Sequence, residues 1–266
     1  MLPDDWIDCH FHVFHQPSSS SPDLRYTPSY GSSLADWEAA TPSRLPRRGV
    51  LVQTSFLGID NGQLLAELRQ RPETLRGVAV IDPLTNTAEL QALHWAGVRG
   101  IRLNLVGATA RELDAVRLPD RLTGDLLALG WNVELHTDAG LLPAVLGRID
   151  PRLVVVLDHF GKPGGLRDDD ATFRAVDARL DAGSAAVHVK LSGAYRLGGL
   201  DPRVLAQRWR DRLGSRRLLW GSDWPCTNHE DRADYAALLD ALSDWLDDPA
   251  ERRQVLIDNP LDLYWP

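Results

Sequence analysis

Residues 152–160 read RLVVVLDHF, a short aliphatic, β-branched run that ends on an aspartate and a histidine. A run of this length and make-up predicts a strand buried on both faces. Seven comparable runs lie along the chain: WIDCHFHVF (6–14), GVLVQTSF (49–56), LRGVAVID (75–82), GVRGIRLNLV (97–106), WNVELHTD (131–138), AVHVKLSGAY (186–195) and RLLWGSDW (217–224). Amphipathic segments separate them, among them DNGQLLAELRQR (60–71), TAELQALHWAG (87–97) and DYAALLDALSDWL (234–246). The last carries apolar residues three and four apart, as a core-facing helix does. Strands alternating with helices predict parallel βαβ units. Eight repeats in 266 residues average about 33 residues, and one such unit needs ~30. The expectation is an α/β fold, a single (β/α)8 barrel spanning 1–266. An open doubly wound sheet would want a glycine-rich turn after its first strand. Here HQPSSSSPDLRYTPSYGSS (15–33) follows instead. That segment opens an extended first βα connection, 15–48, read either as a lid or substrate-contact loop at the barrel rim or as a solvated surface loop.

Composition narrows the function. The chain has 29 basic and 37 acidic residues, a net charge of −8, and a pI near 5.4. Nucleic-acid binders carry a basic face, so nucleic acid is not an expected partner. No apolar run approaches the ~20 residues that span a bilayer, and MLPDDWIDCH lacks signal-peptide character. Cys9 and Cys226 are too few for a disulfide scaffold. A cytoplasmic protein is expected. Its oligomeric state stays open, with Trp245 and Trp265 candidates either for a homo-oligomer interface or for burial in C-terminal helices. Of the basic residues only Lys162 and Lys190 are lysines, so an individual arginine needs positional support before it counts as functional.

The histidines have that support. The first strand places His10 and His12 two apart, on one face by alternation and about 7 Å from each other along it. His136 ends the fifth run, His159 the sixth and Asp223 the eighth, all near the carboxyl ends where barrel enzymes keep their chemistry. A lone strand histidine is commonly structural, and Asp223 alone could cap a turn. Five such positions on four strands argue for a site. His15, His94, His188 and His229 lack the placement and are read as structural or surface residues.

HxH on strand one, His on strands five and six and Asp on strand eight resemble the amidohydrolase superfamily. DCHFHVF, RYTPSY, LVQTSFLGIDN, GIRLNLVG, VVLDHFGKP, KLSGAYR and LWGSDWP resemble, within it, the branch of 2-pyrone-4,6-dicarboxylate lactonases and sugar-lactone hydrolases, along the whole chain. The resemblance implies a mononuclear metal set of His10, His12, His136 and Asp223, with His159 assisting catalysis and Asp223 as general base. It implies Arg102 and Arg196 as holders of a substrate carboxylate, and Ser55, Tyr26 and Tyr30 as further substrate contacts. Two departures qualify it. The dicarboxylate enzymes of the branch work without metal and carry a tyrosine-type residue where this chain has His136. Their second strand-four arginine corresponds to Ala108.

Nitrogen and carboxylate ligands of this kind suit one divalent ion, zinc first, with manganese or cobalt as alternatives. No strand-borne lysine sits where a bridged second metal would need it. A metal-free variant, with Asp223 activating water and imidazoles stabilising the oxyanion, remains the alternative. The leading expectation is a hydrolase opening a small carboxylated or polyhydroxylated, anionic lactone. A lactone isomerase or a decarboxylase on the same site, and a non-catalytic binding barrel, are the competing readings. Ser55 and Ser222 lack a nucleophile elbow, which argues against serine catalysis.

Overall fold

The computed structural model describes residues 5–16, 28–41, 46, 48–108, 113 and 116–266. Its strands are β1 (Ile7–Phe11), β2 (Arg48–Val52), β3 (Leu75–Ala79), β4 (Val98–Leu105), β5 (Asn132–Thr137), β6 (Val155–Leu157), β7 (Val187–Leu191) and β8 (Leu218–Trp220). Each pairs in parallel with its neighbours in chain order. The sheet closes on itself beyond β8: Asp223 N–H donates to His10 O and His12 N–H to Trp224 O, both at 2.8 Å. The (β/α)8 barrel read from the sequence is the fold.

Two local expectations need correction. The connection 15–48 is not loop throughout, because Leu34–Ala40 is a helix whose first turn is closed by a reciprocal Ser33–Asp36 capping box. That S-x-x-D spacing is legible in the sequence and satisfies two backbone N–H groups that a helix start leaves open. The segment 234–246 is two short helices, Tyr235–Asp240 and Leu242–Trp245.

The larger apolar cluster fills the space between strands and helices, with Trp6, Trp220 and Tyr235 packed ring against ring. Trp245 joins it against Phe160, ring centres 5.3 Å apart. A smaller cluster of Ile7, Cys9, Val50, Val52, Val78, Val156, Leu219 and Tyr264 lies inside the barrel. The C-terminal helix Asn259–Tyr264 closes the amino end of the strands. There Trp265 lies under the guanidinium groups of Arg48, the first residue of β2, and Arg76, the second of β3. Among the described residues no helix is long and apolar enough to cross a membrane.

Candidate active site

The first strand reaches the site through a bulge. Between Asp8 and Phe11, β1 advances three residues while β2 advances two, Gly49 to Leu51. One extra residue turns the side-chain alternation over. Ile7 and Cys9 face the barrel interior below the bulge, whereas His10 and His12 face it above. Asp8 is thereby sent outward. Its carboxylate accepts from Trp37 Nε1 (3.2 Å), Tyr235 Oη (2.8 Å), Ser222 Oγ (2.7 Å) and Ser222 N (3.0 Å), tying the segment after β8 to β1. Gly221 makes that approach possible, since a Cβ there would lie 2.5 Å from the Cβ of His10.

His159 and Asp223 lie just past β6 and β8 rather than on them, and both hold left-handed backbone conformations, φ 50° and 59°. Such conformations cost non-glycine residues free energy and gather at functional sites. They turn both side chains over the barrel mouth. Gly193, itself at φ 56°, leaves room for the His159 ring, because a Cβ there would come within 2.7 Å of Nδ1.

Four imidazoles crowd the mouth. Ring centres of His10 lie 5.0 Å from His12 and 5.0 Å from His159, and His136 lies 4.6 Å from His159. Burial holds His159 at about 3 and keeps His10 and His136 well below the ordinary histidine value. These three rings are neutral at physiological pH, so the tautomer decides what each can do.

Hydrogen bonds settle two tautomers. His12 Nδ1 lies 2.7 Å from the carbonyl oxygen of Val52. A carbonyl only accepts, so His12 carries a proton on Nδ1 and turns Nε2 toward Asp223 Oδ1. Arg102 Nη2 lies 3.2 Å from His136 Nδ1. A guanidinium only donates, so neutral His136 carries its proton on Nε2 and presents an N–H. His159 Nδ1 contacts Ser192 Oγ at 3.0 Å, and that oxygen also accepts from the His159 backbone N–H at 3.3 Å.

Asp223 joins these groups. Its Oδ2 accepts from Tyr195 Oη and Arg196 Nε, both at 2.7 Å. Its Oδ1 faces Nε2 of His12 (3.4 Å), His10 (3.6 Å) and His159 (3.9 Å). Burial opposes ionisation of this carboxyl, but the Arg196 guanidinium, foremost among its neighbours, outweighs it and holds it well below the usual carboxylate range. Burial raises the Tyr195 phenol, which therefore stays a donor.

The donor atoms of His10, His12 and Asp223 lie within 4.8 Å of one another. His10 Nε2, like His136 Nε2, is buried and has no hydrogen-bond partner among the described residues, and each ring has a cationic donor at its Nδ1, Lys190 for His10 and Arg102 for His136. His136, expected as a further ligand, is not in this group and turns an N–H toward the pocket. The donor atoms of His10, Asp158 and His159 also lie within 4.8 Å of one another. Lys190 Nζ stands 3.5 Å from Asp158 Oδ1 and Arg102 Nε 3.0 Å from Oδ2, so that position already has its positive charge.

A pocket of about 210 Å³ opens above the imidazoles, lined among others by His12, Ser55, Arg102, His136, His159, Arg196 and Asp223. Arg102 is nearly buried and spends Nε on Asp158 and Nη2 on His136. Arg196 spends Nε on Asp223 and Nη2 on Thr227 O. Each is thus a part-committed cation in the pocket wall. Tyr30 does not line the pocket; its hydroxyl bonds Glu230 at 2.5 Å. Tyr26 falls outside the described residues.

Sequence reading overlooked Asp158, Tyr195, Glu134 and Lys190. The last two had a signal: opposite charges in the middle of otherwise aliphatic strands must find each other when buried. Tyr195 had none, because its reach to Asp223 spans 28 residues of chain.

Comparison with known proteins finds relatives along the whole chain. Residues 7–265 match a family model described as amidohydrolase. A 2-pyrone-4,6-dicarboxylate hydrolase of Comamonas testosteroni is 31% identical over 100% of this chain and 92% of its own. A 4-sulfomuconolactone hydrolase of Rhizobium radiobacter is 29% identical over 99% and 91%. Among solved structures, a Pseudomonas putida protein assigned as a 2-pyrone-4,6-dicarboxylic acid hydrolase superposes with a TM-score of 0.85 at 33% identity, covering 99% of this chain and 98% of that one.

Proposed function

The chain belongs to the amidohydrolase family, and on that premise we propose that it is a single-domain hydrolase that opens a small anionic lactone by attack of water at the barrel mouth. One observation carries the reading: Asp223 is gripped through Oδ2 by Tyr195 and Arg196 while Oδ1 faces three imidazole nitrogens inside a pocket walled by arginines. The lactone-hydrolysing names of the relatives supply the substrate class.

His10, His12 and Asp223 would hold one divalent ion, with zinc first by donor type and manganese as the alternative. When bound, the ion would acidify water and polarise an ester carbonyl. The protein's own groups do the rest. Asp223 Oδ1 takes the proton of the attacking water. His136 Nε2–H, fixed by Arg102, and His159, protonated on Nε2 with Ser192 Oγ–H donating to its Nδ1, face the position where the carbonyl oxygen becomes negative. Neutral N–H donors set in place before reaction stabilise that charge without reorganising. His136 is therefore reassigned from metal ligand to oxyanion donor. Arg102 and Arg196 attract the substrate carboxylate, and Ser55 lies within reach of it on the pocket wall. Ala108 offers no second cation on the β4 side, which favours lactones with one acid group on that flank over a dicarboxylate.

The test is a lactone panel run with metal analysis. Purified protein is expected to carry about one divalent ion per chain, to hydrolyse at least one carboxylated lactone and to lose that activity to a chelator. Full activity without metal would overturn the metal assignment. Turnover of lactones only to isomeric lactones would overturn hydrolysis.

A further inference from the structure

The amino end of the barrel, opposite the pocket, gathers positive charge that the proposed reaction does not use. Val50, Val52 and Val78 face the barrel interior. Arg48 stands two residues before Val50 on β2, and Arg76 two before Val78 on β3, so strand alternation turns both side chains inward. Their guanidinium groups lie over the Trp265 ring, 5.8 and 5.0 Å from its centre. Arg99 enters from β4 at the residue inserted where the β3–β4 register shifts, and its charge acts on Arg76.

Backbone carbonyls fix two of these groups. Arg76 Nη1 donates to Pro72 O (2.6 Å) and Leu75 O (2.8 Å), and Arg99 Nη1 to Val98 O (2.7 Å) and His94 O (2.9 Å). Other arginines meet a carboxylate, as Arg71 meets Glu38 and Arg210 meets Glu251, whereas none of these three is ion-paired among the described residues. Glu73 favours the charged form of Arg76, but burial, Arg99 and Arg48 outweigh it and lower this guanidinium to about 10. Three N–H groups around the one ring are left over: Arg48 Nε, Arg76 Nε and Trp265 Nε1 are buried and have no hydrogen-bond partner among the described residues. Buried donors are nearly always satisfied, and the acceptor needed here must also offset like charges. A dianion with several oxygens meets both needs, because a guanidinium binds such a group through two N–H donors at once. Arg48, Arg76 and Trp265 are each partly exposed, so an ion reaches them from solvent.

We propose that the amino end of the barrel is a binding site for a phosphate-type dianion, held by Arg48 and Arg76 with Trp265 Nε1–H as a further donor. The site is separate from the pocket, and the inference does not depend on the lactone reaction. Occupancy ties Trp265 to β2 and β3. Its neighbour Tyr264 donates to Glu134 Oε1 at 2.7 Å, and Glu134 Oε2 accepts from Lys190 at 2.6 Å, so the ion bears on the floor beneath His10.

The test uses the full chain exchanged into phosphate-free chloride buffer. Inorganic phosphate and phenyl phosphate are titrated in separate arms at constant ionic strength, by calorimetry and by thermal unfolding. Saturable binding of about one ion per chain is expected, with the melting temperature raised by about 5 °C at roughly a hundredfold excess over Kd. The arm that binds more tightly identifies the free ion or a phosphate ester as the ligand; no binding in either arm, or a shift that chloride reproduces, overturns the proposal. Arg76→Met is expected to weaken binding about 10-fold or more, the loss of a hydrogen bond to a charged group. Wild-type affinity in that folded variant places the ion elsewhere, the arginine-walled pocket included, and also overturns it. If Arg76→Met does not fold, Trp265→Phe keeps a ring under both guanidinium groups and removes only the Nε1–H donor. About threefold weaker binding or more is expected there, and unchanged binding overturns the site.

Discussion

Replacing Tyr195 with Phe removes the hydroxyl and with it the 2.7 Å donation to Asp223 Oδ2. The ring keeps its contacts with His229, centres 5.0 Å apart, and with the Arg196 guanidinium at 5.2 Å, so the fold is expected to survive. A hydrogen bond to a charged group contributes roughly 1.5–3 kcal/mol. If Asp223 loses that much of its alignment for proton transfer, kcat falls about 10- to 150-fold, at about 1.4 kcal/mol per tenfold in rate. Arg196 Nε still grips the same oxygen, which places the expectation at the lower end, near 10-fold. Tyr195 does not line the pocket, so KM should stay within about twofold. Steady-state kinetics on the lactone that wild type opens fastest, with thermal unfolding followed by circular dichroism, measures both. An unchanged kcat in a folded Y195F protein, or a raised KM with kcat intact, would refute the claim that Tyr195 orients the base.

Gly221→Ala should damage fold and site together, because the new methyl would lie 2.5 Å from the His10 Cβ and 2.8 Å from its backbone nitrogen. Overpacking of this kind costs about 1–3 kcal/mol, so a melting temperature lowered by several degrees and weaker zinc binding are expected, and a variant with wild-type melting would contradict the close approach. His188, by contrast, reports on acid stability away from the mouth. Burial, aided by the Arg217 guanidinium 3.3 Å from its Nε2, lowers it to about 4. The unfolded chain therefore binds a proton between pH 6.5 and 4 that the native protein refuses, and stability falls as pH drops through that window. The cost approaches roughly 3 kcal/mol at about 1.4 kcal/mol per unit. His188→Asn should flatten urea-unfolding stability between pH 6.5 and 4 by about one proton, and an unaltered slope would exclude the assignment.

The fold was legible because a closed parallel barrel writes itself as short aliphatic runs between amphipathic ones, and the intrusions into those runs marked the mouth. What stayed hidden depends on geometry that periodicity does not carry. Strict alternation places Asp8 beside His10 and His12, yet one extra residue in β1 sends Asp8 to Trp37 and Tyr235. The family resemblance groups His136 with the ligands, and nothing in the sequence announces that its Nδ1 is held by Arg102 Nη2. Arg102 and Arg196 were legible as site cations but not as partners of Asp158 and Asp223. Those pairings join β4 to the end of β6 and the end of β7 to the end of β8, and depend on how the strand ends are set around the mouth. Glu134 and Lys190, charges in buried strands, left a signal that the sequence reading passed over. Their link to His10 appears only once β1, β5, β6 and β7 surround the same space.

The most direct check of Asp223 as the group that activates water is the turnover of Asp223→Asn. The amide keeps the shape and can still accept from Tyr195 or Arg196, but it cannot take a proton. At least ~100-fold loss of kcat is predicted, as for a general base, with the unfolding transition within a few degrees of wild type. Lactone opening at close to the wild-type rate in that folded variant would contradict the account.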